Sequence, residues 1–127
     1  MHATQPEPPA LPIPPDVARA ETCRILLRVD EAIEKSLGRQ LATRPYLLTL
    51  LELYLAELEQ RTMFASCFLV GETPSNVHRR SIRLAELGAL TRQQGKDDHR
   101  RVDLKLTPST RSAIENILDA ARLLSQR

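Results

Sequence analysis

Residues 73–92, with the sequence TPSNVHRRSIRLAELGALTR, decide how this chain folds. The pair Thr73-Pro74 is typical of a helix N-terminus, because a threonine hydroxyl caps the first turn and proline suits the first helical position. No further proline or glycine interrupts the run until Gly88, where the helical pattern stops. The stretch therefore predicts one helix between Thr73 and Gly88, followed by a strand that begins at Ala89.

The two sides of this predicted helix differ in chemistry. Val77, Ser81 and Leu84 lie on one side and are suited to a core. The other side carries hydrogen-bonding and cationic residues, and Glu86 at the far end is the one acid in the helix. Because arginine pairs with guanine and asparagine with adenine in the major groove, this side predicts a DNA-contacting surface, with a solvated charged face as the alternative. Its members are Ser75, Asn76, Arg79 and Arg83, flanked by His78 and Arg80.

Residues 89–106 predict a β-hairpin, in which two alternating strands flank the charged loop QQGKDDHRR at residues 93–101. Arg100 and Arg101 would carry cations beyond the helix, and a guanidinium can enter the narrow minor groove of A·T-rich DNA. Asp98 lies two residues before Arg100, so in an extended segment both side chains point to one side and can pair. The loop is therefore predicted to be a DNA-binding wing supported by Asp98; an ordinary charged hairpin tip is the alternative.

A first, short helix would complete a motif with these elements. We expect it at residues 62–70, a short apolar run that ends at Gly71. Two helices joined by a glycine-containing turn make a helix-turn-helix, which would span residues 62–88, with the hairpin at residues 89–106 as its wing. Between residues 75 and 105, eight Lys or Arg stand against four acidic residues, whereas the rest of the chain has ten basic and twelve acidic residues. This local excess of positive charge indicates an anionic partner.

Helices on either side of the motif are predicted to form a dimer interface. Residues 16–41 carry apolar side chains at three- and four-residue spacing, and Asp16 is the expected N-cap. Their apolar face is wider than one neighbouring helix needs, which indicates a subunit interface. Pro45 begins a leucine-rich, heavily buried helix, and Thr107 caps a short last helix at residues 108–125. The fold class is therefore mainly α with a small β-hairpin wing: a winged helix-turn-helix homodimer with dimerisation helices at residues 16–41 and 108–125.

Residues 1–15 hold six of the nine prolines and cannot form a regular helix. We interpret them as an arm outside the core, either a disordered tail or an ordered strap packed on a partner subunit. The remaining residues, 16–127, suffice for a single domain.

Several classes of function have no support in the sequence. The chain of 127 residues has no apolar run of the ~20 residues that cross a bilayer, and its first residues lead us to expect no secretory leader. Cys23 and Cys67 form no disulfide or metal framework, so a cytoplasmic location is expected. His2, His78 and His99 lack zinc-ligand spacing, and the sequence shows no catalytic constellation. We therefore expect no enzyme, no cofactor and no metal.

The segments TPSNVHR and LAELGALTR, followed by DHRRVDLKLT, resemble the multiple-antibiotic-resistance regulator (MarR) family. That family has a recognition helix that ends in a Leu-x-x-x-Gly turn, a strand with a basic residue, an Asp-x-Arg wing and a strand that ends in Leu-Thr. The resemblance covers residues 45–110 and, by its apolar pattern, the long first helix. It implies a homodimeric winged-helix transcriptional regulator that binds palindromic duplex DNA, with any effector unidentified. By resemblance, base and phosphate contacts fall on Ser75, Asn76, Arg79 and Arg80, and the wing arginine is Arg100.

The chain departs from the family pattern near its last helix. Thr110 stands where the family has glycine, and the short last helix is not followed by a match to the family's pair of C-terminal helices. We therefore expect the long first helix to carry more of the dimer contact than is usual. Some members sense oxidants through a cysteine in the first helix, where Cys23 lies; we favour a buried apolar role for Cys23. The alternative function is a winged-helix module that binds a protein through the same face, without specific DNA binding.

Overall fold

A computed structural model describes residues 13–64, 72–95 and 101–126. In chain order the elements are α1 (Pro15–Leu37), α2 (Arg44–Leu58), β1 (Met63–Phe64), α3 (Pro74–Glu86), β2 (Leu90–Gln94), β3 (Val102–Leu106) and α4 (Pro108–Ser125). The predicted fold class, mainly α with a small β-hairpin after the motif's second helix, is confirmed. Most of the proline-rich arm lies outside the described residues.

The hydrophobic core forms between α2, α3, the sheet and α4. Removing these side chains from water is the main favourable contribution to folding. Ser81 is a small polar residue on the core side of α3, and its hydroxyl donates a 2.7 Å hydrogen bond to the His78 carbonyl. Its small size lets α3 approach the core while its polar group stays satisfied. The main buried apolar residues are Leu50, Leu53, Tyr54, Val77, Leu84, Leu90, Leu104, Leu106 and Ile114.

The sheet has the strand order β1-β3-β2, and both pairings are antiparallel. β2 and β3 form the predicted hairpin, with Leu90 opposite Leu106 and Gln94 opposite Val102. Leu90 and Leu106 are both buried, because this pair sits where the hairpin meets the core. The hairpin therefore starts from a fixed base directly after α3.

The first helix of the predicted motif does not begin where the sequence places it. Residues 62–70 are predicted to be helical, but Met63 and its neighbour form β1, in which Met63 lies opposite Leu104 of β3. The physical reason is that the outer edge of β3 carries backbone groups that β1 satisfies. Residues 65–71 lie outside the described part of the chain, so the remainder of the predicted helix is untested.

The long helix α1 differs from its predicted bounds at both ends. Pro14 occupies the N-cap in place of Asp16, which instead forms a 3.1 Å ion pair with Arg19 within the helix. The helix ends before Gly38, whose φ of 84° cannot continue it, so Leu41 lies in the turn that follows. No residue of α1 is buried within the described part of the chain.

Helix α2 begins at Arg44 with Pro45 in its first turn, which confirms the predicted start. The prediction of a heavily buried helix is wrong for one side. Leu48, Leu55 and Leu58 are 38%, 51% and 58% exposed, because the core covers only the opposite side of the helix. The described chain therefore leaves an apolar stripe along α2 without an internal partner.

Helix α4 is tied to the turn after α3 by a hydroxyl network. Thr107 occupies the predicted N-cap position, but its side chain does not cap the helix. Its hydroxyl donates a 2.9 Å hydrogen bond to the Gly88 carbonyl and lies 2.9 Å from the Thr110 hydroxyl. Thr110, the residue that departs from the family glycine, is buried and belongs to this network.

The two cysteines do not behave as one class. Cys23 is exposed on α1, so its predicted burial is wrong for a single chain, and Cys67 lies outside the described residues.

In the described ranges, no helix is both long enough and apolar enough to cross a membrane.

Candidate nucleic-acid interface

Helix α3 presents the predicted polar side to solvent. Its N-terminus is fixed by the Thr73 hydroxyl, which accepts a 3.2 Å hydrogen bond from the backbone N–H of Asn76. Val77, Ser81 and Leu84 face the core, as the sequence predicts. This packing directs the opposite side outward, so five predicted site residues share one exposed surface. They are Ser75, Asn76, His78, Arg79 and Arg83.

Asn76 and Arg79 form a pair on this surface. The Nη2 of Arg79 donates a 2.7 Å hydrogen bond to Oδ1 of Asn76, one helical turn earlier. The contact leaves the Asn76 amide hydrogens and most of the guanidinium donors available to a further partner. The two side chains are therefore pre-arranged and act as a unit.

Arg92 of β2 joins the surface from the sheet, although it was not among the predicted site residues. Its Nη2 lies 3.4 Å from Nδ1 of His78, and because a guanidinium only donates, this nitrogen of His78 is the acceptor. Among the described residues, the buried Nε of Arg92 has no hydrogen-bond partner. The sequence feature that could have identified Arg92 as a site residue is the basic residue that the family pattern places in the strand after the Gly88 turn.

Arg83 is shared between solvent and a neighbour on its own helix. Its Nη1 donates a 3.1 Å hydrogen bond to Glu86, and both side chains remain about half exposed. Such an exposed pair contributes little to stability, so the guanidinium can exchange the carboxylate for another anion at small cost.

Arg80 differs from its predicted place among the DNA contacts. Its side chain is 9% exposed, forms an ion pair with Glu72 and donates a 3.3 Å hydrogen bond to Oγ of Thr49 on α2. The reason is helical geometry, because position 80 lies on the stripe of Val77 and Leu84, three residues after one and four before the other. Arg80 therefore packs inside the molecule and is not part of the exposed surface.

The wing is described at its base. The backbone N–H of Gly95 donates a 2.9 Å hydrogen bond to the Arg101 carbonyl, which closes the hairpin beyond its last strand pair. Arg101 is exposed. Arg100 and Asp98 fall within residues 96–100, outside the described part of the chain, so their predicted roles are untested.

A polar network joins the remaining elements away from the exposed side of α3. Glu57 of α2 accepts a 3.3 Å hydrogen bond from the backbone N–H of Leu106 and a 2.7 Å bond from Arg111 of α4. The Tyr54 hydroxyl donates a 3.1 Å bond to Glu115, and burial together with that bond raises the pKa of Tyr54. Beside this network lies a cavity of about 440 Å³ with mostly polar walls. These contacts fix α4 against α2 and β3.

Metal chemistry has no candidate in the described residues, where no group of three or more His, Cys, Asp or Glu is placed to hold an ion.

No family model and no curated protein matches this sequence, but solved structures do. A MepR mutant from S. aureus, bound to an oligodeoxyribonucleotide, has a TM-score of 0.61 and 20% identity over 87% of this chain and 78% of that chain. The transcriptional regulator Tm0710 from Thermotoga maritima has a TM-score of 0.56 and 19% identity, covering 87% of this chain and 77% of that one. A MarR mutant from E. coli has a TM-score of 0.52 and 16% identity, covering 92% of this chain and 83% of that chain.

Each similarity extends over more than four-fifths of this chain, so it concerns most of the fold and not the winged motif alone. Tm0710 is a transcriptional regulator, and the E. coli protein is a variant of MarR. The resemblance drawn from the sequence motifs is thus confirmed at the level of fold. The chain has the MarR-like winged-helix fold.

Proposed function

We propose that this chain is a sequence-specific, duplex-DNA-binding transcriptional regulator that acts as a homodimer. The observation that carries the proposal is the exposed side of α3, where an arginine and an asparagine are hydrogen-bonded to each other in front of a β-hairpin. Cationic donors and amide groups on one exposed helix suit phosphates and base edges together. The structural neighbour from S. aureus, which is bound to an oligodeoxyribonucleotide, supports the same use of this fold.

The proposed contacts divide by groove. Arg79 and Asn76 read base edges in the major groove, while Ser75, His78 and Arg83 contact bases or phosphates at its margins. Arg100 and Arg101 of the wing reach the minor groove, with Asp98 as the restraint on Arg100. Arg80 is left out of this set because its side chain is internal.

The proposed homodimer would cover apolar surface that one chain leaves exposed. Ile13, Val17, Leu26 and Leu27, on or next to α1, are between 56% and 64% exposed, and Leu123 of α4 is 64% exposed. We assign these exposed apolar side chains to the subunit interface, where a partner chain would remove them from water. Two recognition helices related by a two-fold axis would read palindromic half-sites about one helical turn apart.

We place this activity in the cytoplasm, where a free thiol such as Cys23 stays reduced.

The test is binding of the full chain to fluorescein-labelled random-sequence duplex, followed by anisotropy as salt is raised. Contacts to several phosphates release counterions, so affinity should fall by on the order of a thousandfold between about 50 and about 200 mM salt. Selection from the random pool should then yield a palindromic sequence that binds more tightly than the pool. Absent or salt-independent binding would favour the alternative, a winged-helix module that binds a protein.

A further inference from the structure

Helix α3 carries one arginine on its internal side, and its partners lie on two other segments. Arg80 pairs with Glu72, in the turn before α3, and donates to the Thr49 hydroxyl at 3.3 Å. Thr49 lies on α2, is 2% exposed, and its hydroxyl donates a 2.8 Å bond to the Pro45 carbonyl. That bond orients the lone pairs of the hydroxyl toward the guanidinium.

A buried guanidinium is an unusual choice for this position. An apolar residue would fill the stripe between Val77 and Leu84 without desolvating a charge, whereas an unpaired buried charge is costly. Ion pairing offsets this cost only when Arg80 meets Glu72 and Thr49 in one geometry. The arrangement therefore favours one orientation of α3 relative to α2 over orientations that differ from it by a small angle.

We propose that Arg80 is a positioning residue, which sets the angle of α3 against α2 through Glu72 and Thr49 and makes no contact with DNA. The inference rests on the proposed DNA binding for its consequence. A helix of 13 residues is about 20 Å long, so a tilt of about 10° about its centre moves its ends by about 2 Å. Functional constellations tolerate displacements of about 0.5 Å, so a small tilt removes base contacts at Asn76 and Arg79.

Two single variants separate positioning from direct contact. Arg80→Met should weaken binding to the selected duplex about tenfold, which both roles predict. Glu72→Gln should also weaken it several-fold, although the change removes a negative charge beside the DNA surface. Simple electrostatics predicts tighter binding for Glu72→Gln, so the two explanations give opposite signs.

The double variant Arg80→Met/Glu72→Met sharpens the test. Arg80 and Glu72 form a partly buried pair, and replacing both members of a buried pair with apolar residues of similar size is often neutral for stability, because no unpaired charge remains. If Arg80 acts by positioning, the double variant should fold but bind as weakly as Arg80→Met, because Glu72 acts through Arg80 and the contact with Thr49 is also lost. If Arg80 contacts a phosphate, the double variant should bind more tightly than Arg80→Met, because it has lost a negative charge, and its salt slope should be lower than that of the original chain by about one contact. Arg80→Lys should bind poorly under positioning, because one ammonium nitrogen does not reproduce the two guanidinium nitrogens that contact Thr49 and Glu72 separately, whereas a phosphate contact tolerates lysine.

A measurement without DNA keeps the inference separate from the proposed function. Spin labels at Arg44→Cys on α2 and Glu86→Cys on α3, in a Cys23→Ser/Cys67→Ser chain diluted with unlabelled protein, report the interhelix distance. Arg80→Met should broaden or shift this distance distribution, and the double variant should show the same change, because both lack the contact between Arg80 and Thr49. An unchanged distribution in Arg80→Met overturns the inference even if DNA binds. Failure of the original chain to bind any duplex overturns the proposed function while the label distances still decide the role of Arg80.

Discussion

At the scale of single residues, the partners of a side chain decide its role more than its charge does. Arg79, Arg80 and Arg83 are the same residue type within five positions, yet their surroundings differ. Arg79 bonds Asn76, Arg80 is nearly buried against Glu72, and Arg83 forms an exposed ion pair with Glu86. Helical geometry alone separates them, since the internal arginine lies on the core stripe of α3. Arg80 was predicted to contact DNA because it is charged, although its spacing from Val77 and Leu84 places it on the core side of the helix.

Arg79→Ala should weaken binding to the selected duplex by about 1–3 kcal/mol, the range for loss of a good base contact. The side chain is exposed, so thermal unfolding should be nearly unchanged. Arg39→Ala is the matched control, because it removes one exposed cation away from α3. Equal losses for the two variants, measured by anisotropy at one salt concentration, would show a general charge effect and remove Arg79 from the base-reading set.

Tyr54→Phe should make stability less sensitive to alkaline pH. The pKa of Tyr54 is raised in the folded chain, chiefly by burial and then by Glu115, so above pH ~10 the unfolded chain loses this proton first. Stability from the neutral phenol is complete below pH ~10 and is lost as pH rises through the folded pKa. The hydrogen bond to Glu115 itself is worth about 1 kcal/mol near neutral pH. Urea unfolding at pH ~8 and ~10.5 should therefore show a gap between the two proteins that shrinks at high pH; a constant gap would contradict the link.

At the scale of elements, the sequence predicted those with strong terminal signals. Proline at the first turn placed the starts of α2 and α3, and the alternation of residues 102–106 placed β3. β1 was missed because two residues carry no periodicity, and only its partner strand makes it a strand. The end of α1 was set too late because Leu41 continues the apolar spacing although Gly38 has already ended the helix. Tertiary pairing and backbone conformation, which a one-dimensional pattern lacks, account for both errors.

Gly88→Ala tests the turn that joins α3 to β2. Gly88 has a φ of 77°, and a Cβ added there would meet nothing within 4 Å. The cost therefore comes from the local backbone conformation and not from a clash with other residues, and it is about 1–2 kcal/mol of unfolding free energy. Gly88→Asn should cost less, because asparagine tolerates this region of φ better than alanine does. Equal stability of Gly88→Ala and the original chain in urea would contradict the left-handed conformation.

At the scale of the whole molecule, the described residues form a buried core between α2, α3, the sheet and α4, whereas α1 keeps much of its apolar surface exposed. α2, α3 and the sheet bury their apolar sides against each other, whereas α1 buries no residue fully. The breadth of the apolar face in residues 16–41 predicted this surplus from the sequence. The sequence could not show that α2 also exposes a leucine stripe, since burial depends on which neighbours the fold supplies. The candidate site shows the same limit. The sequence predicted which side of α3 is exposed, but the contact between Arg92 and His78 could be recognised only once the position of β2 was known.

Leu27→Asp should convert the proposed dimer into a monomer. Leu27 is 61% exposed on α1, so the fold of one chain loses little when it becomes charged, but an unpaired carboxylate inside an apolar interface is strongly unfavourable. Gln93→Glu, an exposed residue of β2, adds the same charge away from α1 and should leave the mass unchanged. Light scattering at about 50 μM should give the dimer mass for the original chain and the monomer mass for Leu27→Asp. Because a palindrome engages both recognition helices at once, Leu27→Asp should lose at least a hundredfold in affinity for the full site while its affinity for one half-site is retained. A monomer mass for the original chain, or full palindrome affinity in the monomeric variant, would show that each chain binds DNA alone.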